Sequence, residues 1–143
     1  LATGIGENLS PLPALPPCYI VICKPSVSVS TQEAYQKADN CIILHRPDTQ
    51  ILCNALKEQN LSAVSQNMKN VFQEAMALED VHIITELMIQ NNALGACMSG
   101  SGSAVFGIFE TEQKALFCSN ILKQTFHHVF ICKPTKHGVK SQS

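Results

Sequence analysis

The spacing of apolar positions changes period along this chain. CYIVICKP, residues 18–25, is a short continuous apolar run rich in β-branched residues and closed by Pro25, the pattern of a buried strand. From Ser30 the spacing becomes helical. Ser30 and Glu33 form an S-x-x-E capping box, Ala34, Tyr35 and Ala38 share a face, and Asn40-Cys41 closes this first helix. Pro47-Asp48 opens a second helix, with Asp48 as N-cap and Ile51, Leu52, Ala55 and Leu56 as its apolar stripe. A third carries Leu61, Val64, Met68, Val71 and Phe72, and a fourth runs from near Asp80 to Asn91-Asn92.

The pattern then returns to strands. Ala96–Met98 and Ala104–Phe109 flank the small residues Ser99–Ser103 and are expected to form a hairpin. Thr111 caps a fifth helix carrying Ala115, Leu116, Cys118, Ile121 and Leu122. His127–Lys133 forms a last strand, stopped by Pro134, and KHGVKSQS reads as a frayed polar tail. The order strand, helical block, strand, strand, helix, strand defines an α+β fold of the ferredoxin-like split β-α-β type. It predicts a mainly antiparallel sheet with helices on one face and an enlarged helical first crossover. Residues 1–17, rich in Gly and Pro, form an extended connector or strand remnant; 18–134 form the domain and 135–143 the tail.

Composition narrows the function classes. The 143 residues are 45% hydrophobic, with ten Lys+Arg against eleven Asp+Glu and a net charge of −1. Such a chain folds as a globule rather than staying disordered. It has no basic cluster for nucleic acid and no apolar run near the ~20 residues of a membrane span. No basic region followed by an apolar one marks a secretory leader. The seven cysteines are odd in number, contain no C-x-x-C, and mostly lie in apolar stretches. They read as reduced core residues of a cytoplasmic protein, and the five histidines show no metal-ligand spacing.

Two segments can carry chemistry. In Ser99-Gly100-Ser101-Gly102 the glycines let backbone N–H groups approach an anion, and the serine hydroxyls add donors. No G-K-[ST] follows, and a strand rather than a helix comes next, so this is neither a Walker A loop nor a dinucleotide fingerprint. A glycine-rich hairpin turn is the plain alternative. The other segment leads from Val29 through Thr31 to Tyr35. Thr31 sits at a helix N-terminus, and Tyr35, one turn on, can stack on a base; a first-turn Thr and a core Tyr are the alternatives. Asp39, Asp48 and Asp80 each have a plain helix-end role, and no histidine stands in an acid–base pair. The chain thus offers a ligand platform with no catalytic base and no metal site.

GIGENLSPLPALPPCYIVICKPSVSVSTQEAYQKAD resembles the segment joining the two halves of the GHMP kinases, and MSGSGSAVFGIF resembles their third signature motif. HRPDTQILCNALKEQNLSAVSQNMKNVFQE resembles the helical block of the branch acting on 4-diphosphocytidyl-2-C-methyl-D-erythritol. The likeness extends to Pro134. It implies a two-lobed kinase whose C-terminal lobe is ferredoxin-like, transferring the γ-phosphoryl of ATP, with Mg²⁺, to the 2-hydroxyl of that cytidyl substrate. That reaction belongs to non-mevalonate isoprenoid synthesis in the bacterial cytoplasm or the plastid. By position, Thr31 matches a substrate-contacting Thr, Tyr35 an aromatic packing on the cytosine, and Ser99, Gly100, Ser101 and Gly102 the loop beside the transferred phosphate.

The resemblance also has departures. The family's ATP loop and catalytic Asp have no counterpart here and are expected in an N-terminal lobe before Leu1, so this chain alone is expected to be inactive and to bind neither ATP nor Mg²⁺. Ser103-Ala104 stands where the family more often has Pro-Thr, and the region 73–88 matches less well. The competing expectations are the lobe of another GHMP kinase, such as homoserine kinase, a stand-alone small-molecule-binding module, and an interaction domain that self-associates.

Overall fold

The computed structural model describes residues 1–135; the polar tail read at 136–143 lies outside the described residues. The main sheet contains β3 (Tyr19–Lys24), β4 (Gly95–Met98), β5 (Val105–Phe109) and β6 (His128–Cys132). Its order is β4-β5-β3-β6, with every neighbouring pair antiparallel. The first strand therefore sits between the third and the last, which is the ferredoxin-like arrangement expected from the element order. Between β3 and β4 run α1 (Thr31–Asn40), α2 (Thr49–Lys57), α3 (Leu61–Gln66), α4 (Val71–Met76) and α5 (Glu79–Gln90). The second crossover is α6 (Glu112–Leu122) alone.

Alternation along the strands selects the core face. Val21 and Cys23 of β3, Val105 and Phe109 of β5, and Val129 of β6 point to one side. There they meet Val81, Ile84 and Met88 of α5 and Ala115, Cys118 and Leu122 of α6. Gly107 shares this face because a Cβ there would stand 2.8 Å from the Met88 Sδ. Gly95 is equally confined, since its Cβ would meet the Ser65 carbonyl oxygen of α3 at 2.1 Å. Strand β4 and helix α3 touch backbone to backbone at that point.

Local caps explain most helix boundaries. Asp48 accepts from the Ile51 N–H at 3.0 Å, and Thr111 accepts from the Lys114 N–H at 3.3 Å, both as the sequence predicts. The Ser30 capping box does not form. Ser30 sits at the N-cap with extended dihedrals but makes no side-chain cap bond, and Glu33 faces Lys37 at 3.3 Å instead. The single helix expected over Leu61–Phe72 is two helices. Asn67 ends α3, and Asn70 starts α4 by accepting from the Phe72 N–H at 2.9 Å. Asparagine side chains compete with the helix ladder for backbone groups, so two of them override an unbroken apolar period.

The connector before β3 contains a small hairpin the sequence reading lacked: β1 (Ala2–Thr3) pairs with β2 (Asn8–Leu9). All seven cysteines are free thiols; five are buried, while Cys41 and Cys132 are exposed. Among the described residues no helix is long and apolar enough to cross a membrane.

Candidate functional site

The loop between β4 and β5 is closed by its own backbone. The Ser99 N–H donates to the Ala104 carbonyl at 2.8 Å, and the Gly102 N–H donates to the Ser99 carbonyl at 3.1 Å. Gly100 and Gly102 have φ of +56° and +99°, values that penalise any side chain. At Gly102 a Cβ would also lie 2.7 Å from the Met98 Sδ, so the Met98 side chain would have to shift.

The other predicted segment comes to this loop. Thr31 opens α1, and its Oγ1 stands 3.1 Å from the Ser101 Oγ. The Ser30 side chain makes no cap bond to this helix start, and a helix N-terminus favours an anionic or polar ligand group. Tyr35 lies one turn further on the same helix face. It is not the core tyrosine of the plain alternative: it is 57% exposed. One edge of the pair is fixed by Phe72 of α4, ring centroids 4.9 Å apart at 73°, leaving Tyr35 as a supported aromatic wall. Thr31, Tyr35 and the glycine loop, chosen from separate parts of the sequence, thus occupy one surface.

Several residues that organise this surface escaped the sequence reading. Ser103 is buried and donates to the Val27 carbonyl. Lys24 Nζ donates to the same carbonyl at 2.9 Å and to that of Pro25 at 2.8 Å. These bonds tie the segment before α1 to the glycine loop. Asn70 Nδ2 donates to the Met98 and Gly100 carbonyls at 2.7 and 2.8 Å, and Gln73 Oε1 accepts from the Met98 N–H at 2.7 Å. Such side-chain contacts leave no spacing motif, and the helical period that runs through Asn67 and Asn70 gave no signal for them.

Beside α4 a cleft of about 530 Å³ is lined by Asn70, Gln73, Glu74, His82 and Cys97. Glu74 anchors its rim. Its carboxylate accepts the Leu44 and His45 N–H groups at 2.6 and 3.0 Å and lies 3.4 Å from His45 Nδ1. The Leu44 N–H, more than the other contacts, holds the Glu74 carboxyl below the usual range for glutamate. Asp48 caps α2, and Asp80 lies in the first turn of α5, so the structure gives both the helix-end roles expected. Among the described residues no group of three or more His, Cys, Asp or Glu is placed to hold a metal ion.

The fold thus sets a glycine loop between two strands against the N-terminus of α1, with Thr31 and Ser101 in contact. The family model "GHMP kinases C terminal" matches residues 52–128, more than half of the chain, and the chain belongs to that kinase family. The matched span includes the glycine loop; Thr31 and Tyr35 precede it. Among curated relatives, the 4-diphosphocytidyl-2-C-methyl-D-erythritol kinase of Clostridioides difficile is 38% identical over 143 residues, covering 98% of this chain and 48% of that protein. The enzyme of the same name from Lachnospira eligens is 41% identical over 127 residues, covering 87% and 44%. The chain spans about half the length of the curated relatives it matches.

Solved structures agree on the fold. A crystal structure of 4-(cytidine 5'-diphospho)-2C-methyl-D-erythritol kinase aligns with TM-score 0.70 at 24% identity, over 94% of this chain and 48% of that one. Homoserine kinase from Cytophaga hutchinsonii aligns with TM-score 0.73 at 20% identity, over 90% and 44%. Two kinases of different name align equally well, so backbone likeness does not choose a substrate.

Proposed function

We propose that residues 18–134 are the substrate-binding lobe of an ATP-dependent kinase that phosphorylates the 2-hydroxyl of 4-diphosphocytidyl-2-C-methyl-D-erythritol, a step of non-mevalonate isoprenoid synthesis in the cytoplasm. The observation that carries this reading is the 3.1 Å approach of Thr31 to Ser101, which puts an aromatic wall and an anion-favouring loop on one surface. The names of the sequence relatives support the choice of substrate.

In this lobe Tyr35 stacks on the cytosine, Thr31 donates to a polar group of the substrate, and the Ser99–Gly102 backbone lies against the phosphate region. ATP, Mg²⁺ and the group that activates the attacking hydroxyl belong to the complementary N-terminal lobe, which is the partner of this chain. A transferred phosphoryl needs such a clamp and an oriented nucleophile, and the surface described here supplies positioning.

Calorimetric titration of the chain with the cytidyl substrate tests the reading. Binding is expected, and Tyr35→Ala should weaken it about tenfold, the range of a lost base–aromatic contact. Equal affinity for Tyr35→Ala would remove the stacking role, and absence of binding would remove the substrate assignment. A coupled ADP-release assay with Mg-ATP should show no turnover by this chain alone.

A further inference from the structure

The start of α4 holds a different part of the site with almost every side chain. Asn70 grips the glycine loop through the Met98 and Gly100 carbonyls. Phe72 meets the Tyr35 ring. Gln73 takes the Met98 N–H, and Glu74 takes the backbone of Leu44 and His45. A six-residue helix has little stability of its own, so these ties place it, and it in turn places what they hold.

Asn70 is the pivotal member. Its Oδ1 accepts from the Phe72 N–H at 2.9 Å while its Nδ2 serves both loop carbonyls. Only a planar carboxamide of this length offers an acceptor and two donors together. Asp keeps the acceptor but has no donor, and Ser is too short to reach two carbonyls. Asn70 thereby links the aromatic wall to the loop through one side chain and one helical residue. Each bond is of ordinary length, and the two to the loop satisfy carbonyls that its own closure leaves over.

The geometry points to Asn70 as the positioning residue of this site: it sets the backbone of the Ser99–Gly102 loop and fixes its distance from the Tyr35 wall, so that a base and a phosphate are received at one separation. What loop and wall bind rests on the kinase-lobe reading above; the hydrogen-bonding role does not.

The test uses the intact chain labelled with ¹⁵N-glycine, whose seven glycines give a legible spectrum. Asn70→Asp keeps the cap on Phe72 and removes both donors. Asn60→Asp is the matched control, since Asn60 caps α3 by accepting from the Ala63 N–H at 3.0 Å. Asn70→Asp should shift the Gly100 and Gly102 signals and speed Gly102 amide exchange about tenfold, as expected for one or two lost hydrogen bonds. The Gly107 signal in β5 should stay put, and Asn60→Asp should leave all three unchanged. Asn70→Ser, uncharged and still able to cap, should give the same selective signature.

Titration with cytidine 5'-diphosphate is the functional arm: affinity should fall about tenfold in Asn70→Asp and remain in Asn60→Asp. The role of Asn70 is overturned by unmoved loop glycines, by equal acceleration at Gly107, or by equal affinity of Asn70→Asp and the unaltered chain. If the unaltered chain fails to bind the diphosphate, the kinase-lobe reading falls, and the glycine signals alone decide Asn70.

Discussion

Thr31 Oγ1 stands 3.1 Å from Ser101 Oγ although 70 residues separate them in the chain. The contact joins the first turn of the long crossover to the tip of the β4–β5 hairpin. Thr31 is exposed and Ser101 half-buried, and the bond itself is exposed, so it adds little to folding, less than about 1 kcal/mol. Thr31→Val and Ser101→Ala should therefore leave the urea midpoint nearly unchanged. Each should weaken the cytidyl substrate several-fold, and the double variant should lose less than the sum of the two, since the hydroxyls act as a pair. Calorimetry on the four proteins of this cycle checks it; full additivity would show that the hydroxyls act apart.

The glycines separate packing from backbone conformation. At Gly95 a Cβ would strike the Ser65 carbonyl at 2.1 Å, and neither backbone can move without opening the α3–β4 contact. At Gly100 a Cβ meets nothing within 4 Å, and only φ of +56° opposes it. Gly95→Ala should cost about 3 kcal/mol or more, and Gly100→Ala about 1–2 kcal/mol from the left-handed backbone alone. Urea denaturation of both variants tests the order, and equal losses would count against the close approach of α3 to β4.

The strands and their pairing were legible because period and punctuation agree: CYIVICKP ends in Pro25, and the small residues between Met98 and Ala104 leave room only for a turn. The split of the third helix was not legible, because Leu61, Val64, Met68, Val71 and Phe72 keep a helical period through the break. There Asn67 turns back to the Ala63 carbonyl of its own helix, and Asn70 reaches the Met98 carbonyl elsewhere in the fold. The S-x-x-E box at Ser30 misled because Glu33 pairs with Lys37 one turn on in the same helix. The candidate site was readable as two unrelated segments. That they meet follows from the sheet order, which brings the β4–β5 hairpin next to the end of β3. Asn70 and Gln73 stayed hidden because their bonds run to backbone groups, which carry no sequence identity.

Glu74 makes the loop before α2 sensitive to acid. Its carboxyl sits below the usual glutamate range, first because the Leu44 N–H donates to it, against a usual value of about 4.3. A lowered folded value means the contribution is complete above the usual range and disappears as pH falls through the folded value. Protection of the Leu44 and His45 amides should therefore hold at neutral pH and be lost in acid, as pH falls through a point below the usual glutamate range. Glu74→Gln should lower that protection at neutral pH and remove its acid dependence. Hydrogen exchange read residue by residue checks both; an acid step that survives in Glu74→Gln would assign it to another group.

The cysteines should report folding through their reactivity. Cys41 and Cys132 are exposed, while Cys23 and Cys118 lie in the core between β3 and α6. Burial, more than the neighbouring Cys118 and Asp80, pushes the Cys23 thiol up to about 12, and burial pushes Cys118 up to about 11. Because the thiolate is the nucleophile, both are nearly inert at pH 8 in the folded chain even to a reagent that reaches them. Iodoacetamide at pH 8 should modify Cys41 and Cys132 first, with mass spectrometry showing Cys23 and Cys118 intact. The two core thiols should react only at the rate of unfolding, so their labelling should rise with urea along the same curve as the loss of helical circular dichroism. Labelling of Cys23 well before that transition would mean the β3–α6 interface opens on its own, and the core would then be two cooperative units instead of one.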